Sequence, residues 1–205
     1  EVMFCEPFMP HAWPTKYRMS TDFPIVGIKA VGSSLIVTTK AFPYVAQGAH
    51  PSNMTIARMR ENQSCVSKRS IVGMGKYVMY ASPDGLIAAA GTTATLATDR
   101  VLSRTQWQAM KPETMHGYMH EGRYIGFYTV DAVQKGFIFD LDQMLLTDLI
   151  DVEGVTGGYA NPEDDALYFI DDTLQIQQFD AGANSTYEWH SKQYKVGRPI
   201  NMAAA

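Results

Sequence analysis

Four glycines, Gly27, Gly73, Gly117 and Gly158, each close a short apolar stretch, and they stand 46, 44 and 41 residues apart. Further short apolar runs and turns come after each one, so a unit of three or four strands recurs at a period of ~40–50 residues. That is the repeat of β-propeller blades, in which consecutive antiparallel strands form one sheet and successive sheets pack radially. Small residues suit the innermost strands, where sheets crowd one another, and aromatics such as Tyr80, Phe127 and Phe169 suit the wider space between blades. The same hairpins at even spacing also fit a β-sandwich, the competing architecture.

The unit is clearest at residues 65–91. An apolar strand from Cys65 is expected to end at Gly73, a second strand to run to Tyr80, and a third to run from Leu86 to Ala90. Between the last two lies Pro83-Asp84-Gly85. Proline pre-sets φ, aspartate bonds its own backbone and glycine offers a positive φ, so the chain reverses there into a hairpin. The first unit reads Ile25–Val31, Leu35–Thr39 and Pro43–Gly48, with the polar stretch 49–62 supplying an outer strand or a connection. The third reads Met115–Met119, Tyr124–Val130 and Gly136–Leu141. The fourth reads Val155–Tyr159, Ala166–Ile170 and Leu174–Phe179, with Tyr187-Glu188-Trp189 as a further outer strand.

Two segments break the pattern. Residues 1–24 hold a short strand, Val2 to Cys5, and a proline-rich loop in which Trp13 is the expected pin. Ser103 stands three residues before Gln106, the spacing of a capping box, and Lys111-Pro112 stops the run from Arg104 to Met110, so one short helix is expected over 104–110. The division is therefore 1–24 as the end of a preceding blade with its loop, 25–196 as the propeller-like domain and 197–205 as an exit segment. The opening strand reads as mid-sheet, and a fragment of a longer polypeptide is expected.

With 46% hydrophobic and 19% charged residues, the chain can bury a large core without a disulfide or metal. A net charge of −4 argues against coating nucleic acid, which requires clustered Lys and Arg; Lys68-Arg69 is the densest basic group. No apolar run approaches the ~20 residues that span a bilayer. Cys5 and Cys65 make no CxxC or Cys/His spacing; two free thiols or one disulfide both fit.

Motifs for chemistry are sparse. Gly73-Met74-Gly75 lacks the third glycine and the helix of a dinucleotide site. His116 and His120 have metal-site spacing only on a helix; on a strand they lie ~13 Å apart. Carboxylates cluster at Asp140 and Asp142, at Asp148, Asp151 and Glu153, at Glu163-Asp164-Asp165 and at Asp171-Asp172; propellers acting on glycans carry acid/base pairs or Ca²⁺ on such groups at the ring's mouth, and turns also place solvated aspartates there. No catalytic, metal or cofactor residue is assigned. Trp13, Trp107 and Trp189 are the candidate interaction residues, since large amphipathic rings dominate hot spots, though each equally suits a core.

Several strings agree in order with one family. Glu6-Pro7, Pro10-His11-Ala12-Trp13-Pro14, Ile25-Val26-Gly27, Cys65 through Val72, Tyr80 through Leu86 and Gln106-Trp107 resemble segments of bacteriophage virion proteins of the tail-nozzle, or tail tubular protein B, kind. Trp189-His190-Ser191-Lys192 and Pro199-Ile200-Asn201 match more weakly, and residues 112–185 share only the blade pattern. The resemblance implies a non-enzymatic structural subunit of a ring in the virion tail, assembled in the host cytoplasm. Its partners would be its own copies and other tail proteins, with genome DNA passing but not specifically bound. No catalytic residue or cofactor comes with it. The alternative from another class is a glycan-binding or glycan-cleaving propeller, with Asp164 and Asp172 as the carboxylates to test; a peptide-binding scaffold is a third.

Overall fold

A computed structural model describes residues 1–149, 152 and 154–182. It is all-β, a four-bladed propeller arrangement of antiparallel sheets with one short α-helix. Residues 1–24 form a separate two-stranded piece, β1 (Val2–Met3) against β2 (Arg18–Met19). Sheet I then holds β3 (Ile25–Val31), β4 (Ser34–Thr39), β5 (Tyr44–Gln47) and β6 (Thr55–Arg58). Sheet II holds β7 (Val72–Gly73), β8 (Val78–Ala81), β9 (Leu86–Ala90) and β10 (Thr93–Leu96). Sheet III holds β11 (His116–His120), β12 (Arg123–Val130), β13 (Val133–Asp140) and β14 (Leu145–Leu149). Sheet IV holds β15 (Gly157–Asn161), β16 (Ala166–Ile170) and β17 (Ile176–Gln178). Strands pair in sequence order within each sheet, which is blade topology and not a two-sheet sandwich. The expected strand at Tyr187-Glu188-Trp189 lies outside the described residues.

The first strand of each sheet touches the first strand of the next, β3 with β7, β7 with β11 and β11 with β15. The repeating glycines sit at these contacts. A Cβ on Gly27 would stand 2.5 Å from Ile71 Cδ1 of the next unit, and one on Gly158 would stand 2.8 Å from Tyr118 Cε1 of the previous sheet. Close approach of neighbouring units therefore accounts for Gly27, Gly73, which faces Lys29 of sheet I, and Gly158, whereas at Gly117 the crowding atoms belong to Tyr124 of its own sheet.

Strand alternation gives every sheet one face turned back and one turned forward. The seam between sheets I and II is built from Ile36 and Val45 against Val78, Tyr80, Ile87 and Ala89. Between II and III, Met79, Ala81 and Leu86 meet Tyr124, Tyr128 and Phe137. Between III and IV, Ile125 and Phe127 meet Leu167 and Phe169, with the Phe127 and Phe169 rings edge-on at 5.1 Å. The back face of sheet I, carrying Leu35, Val37 and Tyr44, is covered by Val2 and Phe4.

Three expectations are corrected. Cys65–Ile71 is not strand: Lys68–Ser70 is a 3-10 turn, because Ser70 Oγ and Ser70 N–H both donate to the Ser67 carbonyl and outcompete sheet pairing. Gly85 does not take a positive φ. Its turn is closed by Ser82 N–H donating to the Gly85 carbonyl, and the missing side chain makes room for Thr98 Oγ1, 2.3 Å from where a Cβ would be. Trp13 does not pin the N-terminal segment; that residue is 53% exposed, while Tyr17, 3% exposed, is the buried anchor.

Candidate functional site

The helix places one of the three tryptophans. Ser103 caps α1 (Arg104–Ala109) by accepting from Gln106 N–H, and the Gln106 side chain returns to the Ser103 N–H, as the spacing predicts. Arg104 Nε pairs with Asp84 Oδ1 at 2.8 Å, and Gln108 donates to the Pro83 carbonyl, so the helix is clamped to the Pro83-Asp84-Gly85 turn. That clamp turns Trp107 into the seam between sheets II and III, where it is 0% exposed and its indole N–H donates to the Ser82 carbonyl at 2.8 Å. Trp107 is core and not a surface anchor. Trp189 lies outside the described residues.

Trp13 does stand on the surface, within a loop that bonds to itself. Glu6 N–H donates to the Ala12 carbonyl at 2.8 Å, Met9 N–H to Glu6 at 2.9 Å and Ala12 N–H to Met9 at 2.9 Å. The Trp13 indole donates to the Pro10 carbonyl at 2.9 Å. This frame holds Phe8 at φ 62°, a left-handed conformation rare for a bulky side chain, with its ring fully exposed, and Met9 is half-exposed beside it. The sequence signal for this finger was the proline spacing, which marks a loop but not what the loop displays.

The carboxylates act as turn-formers. Asp164 accepts from the Tyr168 hydroxyl at 2.8 Å and from Ala166 N–H, and the first of these holds its carboxyl below the ordinary value. Asp171 accepts from the Thr173 hydroxyl and from the Thr173 and Gln175 N–H groups, which lower it likewise. Asp164 and Asp172 flank opposite ends of β16, whose own rise is roughly 13 Å, beyond the spacing of an acid/base pair. Among the described residues no group of three His, Cys, Asp or Glu side chains could hold a metal ion.

The buried titratable groups serve the seams. His116 and His120 occupy the two ends of β11 and do not converge. The His116 ring stacks on Phe127 at 5.2 Å, shares a hydrogen bond with the Tyr118 hydroxyl and neighbours Gln134, whose amide joins Val155 of the next blade. Burial, with a lesser push from Arg69, lowers its pKa to about 4. Tyr124 donates to the Ser70 carbonyl and Tyr80 to the Gln63 carbonyl, and burial raises both phenols. Cys5 and Cys65 are both free thiols; Cys65 donates to the Ser67 carbonyl and burial pushes it up to about 11.

The second exposed apolar feature is the forward face of sheet IV. Register puts Tyr159, Tyr168, Ile170 and Ile176 on one side of that sheet, the side opposite Leu167 and Phe169. Tyr159 is 63% and Ile176 74% exposed. Together with Gly158 and Phe169 these four residues line a depression of about 360 Å³ with no charged residue in its wall. In sheets I to III the corresponding face is covered by the next sheet. Sequence reasoning placed these residues in strands but had no means of telling a face covered by a following sheet from one that, among the described residues, has none.

No family model matches the sequence, and no curated protein matches it. Among solved structures it is similar to a chain named for TolB of Agrobacterium tumefaciens, with 16% identity and a TM-score of 0.45. The match covers 78% of this chain and 58% of that one. The propeller assignment rests on the sheet order and seams described above.

Proposed function

We propose that the chain is a non-enzymatic structural component of a phage tail, a nozzle or tail-tube ring subunit whose blades serve as a rigid packing and interaction module. The observation that carries this reading is where the interior polar groups go. The thiol of Cys65, the phenols of Tyr80 and Tyr124 and the imidazole of His116 are all engaged within the seams between blades. A net charge of −4 suits a wall that genome DNA passes without binding tightly. The resemblance of the strings quoted above to tail-nozzle proteins supports the same reading, and it implies other copies and tail proteins as partners in the virion.

The test is mass spectrometry of density-purified phage particles with the intact mass of the band containing these peptides. Peptides in a particle band heavier than 22.8 kDa are the expected result. Their absence from particles overturns the proposal.

A further inference from the structure

Val155 and Thr156 lead the chain into sheet IV, and side chains of earlier units hold them. The Gln134 amide of β13 grips Val155 with both ends: its Oε1 accepts from the Val155 N–H at 2.6 Å, and its Nε2 donates to the Val155 carbonyl at 2.7 Å. Arg69 donates to the Thr156 carbonyl. Thr156 is in turn fastened to sheet IV, since its N–H and its hydroxyl both donate to the Ile170 carbonyl, at 2.9 and 3.0 Å.

That grip dictates where the His116 proton sits. The second N–H of Gln134 Nε2 faces His116 Nε2 at 3.3 Å, so Nε2 must offer a lone pair. The ring proton is then on Nδ1, from which it donates to the Tyr118 hydroxyl at 3.1 Å. A second proton has no place in this arrangement. On Nε2 it would point at the Gln134 N–H. Turning the amide over to offer Oε1 to the ring would set Oε1 against the Val155 carbonyl and Nε2 against the Val155 N–H. The imidazolium is accommodated only when the amide moves away, which breaks the grip on Val155. We infer that His116 is a proton-sensitive latch: one proton taken up at Nε2 releases Val155 from Gln134 and loosens sheet IV from sheet III.

The surroundings of the ring favour the same outcome. Phe127, Gln134, Val155 and Thr156 carry no charge, and Tyr118 is a phenol that burial keeps protonated. Among the described residues Arg69 is the charged group that bears on the ring, and a second cation beside it is repelled. Asp172 shares with Gln134 and Val155 the wall of a depression of about 390 Å³ but does not act on the imidazole. Burial first, and Arg69 second, hold the ring at about 4, against about 6.5 for a solvated imidazole. The latched form excludes the proton and the released form takes it up. Release is therefore insensitive to pH above about 6.5 and grows easier as pH falls towards 4. Apart from the latch, the seam rests on Ile125 and Phe127 against Leu167 and Phe169, a smaller buried group than either other seam has among the described residues, so it opens before they do.

Amide hydrogen exchange of the 205-residue chain, read residue by residue by NMR at about pH 6.5, 5.5 and 4.5 and corrected for intrinsic rates, provides the test. Val155 protection should fall about 10-fold or more across this range, while Ile36 and Val45 in the seam between sheets I and II keep theirs. His116→Gln should remove the pH dependence, and Gln134→Leu should leave the Val155 amide poorly protected at every pH. The imidazole nitrogen resonances of the wild-type chain at neutral pH should show the proton on Nδ1. Val155 protection that is constant with pH, a fall shared equally by Ile36 and Val45, the same fall in His116→Gln, full protection in Gln134→Leu or a proton on Nε2 each overturns the inference.

Discussion

Trp107→Phe and Trp107→Ala remove, in turn, one hydrogen bond and a whole buried ring. The side chain is fully enclosed, and its N–H is the donor given to the Ser82 carbonyl. Phenylalanine keeps most of the packing but leaves that carbonyl without a partner, costing about 1–3 kcal/mol, and the lost ring atoms add about 1 kcal/mol. Alanine opens a cavity between sheets II and III and should cost about 3–5 kcal/mol. With a urea m-value of roughly 2 kcal/mol/M, the unfolding midpoint should fall by about 1–2 M for phenylalanine and about 1.5–2.5 M for alanine. Urea titration followed by far-UV circular dichroism reads both shifts without interference from the other tryptophans. If both midpoints stay within about 0.25 M of wild type, a change typical of surface sites, Trp107 does not hold this seam and the reasoning fails.

Gly117→Ala should destabilise by about 1–3 kcal/mol in the same titration, because its Cβ would stand 2.3 Å from the Tyr124 hydroxyl, which is itself held by Ser70; an unchanged midpoint would refute the crowding argument. His116 is neutral in the fold, with a pKa of about 4 against about 6.5 when unfolded, so the unfolded chain binds the extra proton first. Its contribution is complete above pH 6.5 and is lost as pH falls towards 4. The loss approaches about 2 kcal/mol after allowing for solvent at part of the ring, and in His116→Gln the slope across that window should flatten. In Cys labelling with a thiol-specific disulfide reagent at about pH 8, half-buried Cys5 should react well before Cys65, whose thiol is buried and raised to about 11; equal rates would contradict the seam geometry.

The features legible in the sequence were periodic or local. The glycine spacing marks the strands that press on one another, and the Ser103–Gln106 box marks the helix start, because both are enforced by backbone geometry. Trp107 was ambiguous because a helix of six residues has no fixed relation to the sheets around it; only its clamp to the Pro83-Asp84-Gly85 turn decides which way the indole points. The stretch Cys65–Ile71 reads as strand because apolar residues at both its ends, Cys65-Val66 and Ile71-Val72, lead to the closing Gly73, whereas the Ser70 hydroxyl, bonded to the Ser67 carbonyl and to Ala81 N–H, turns the polar middle into a 3-10 turn. The finger and the exposed side chains of sheet IV were hidden for a different reason. Exposure is a property of neighbours that pack or fail to pack, and neither Phe8 nor Ile176 carries a local signal of it.

Consecutive sheets pack face to face in chain order, with close approach at Gly27 and Gly158, and on this the whole account depends. Nuclear Overhauser contacts in a methyl- and aromatic-labelled sample test it most directly. The account predicts cross-peaks between the Ile71 methyl and the Gly27 α-protons, and between the Tyr118 ring and the Gly158 α-protons. Absence of both, with contacts instead between the faces of sheets I and III as a sandwich would give, would contradict it.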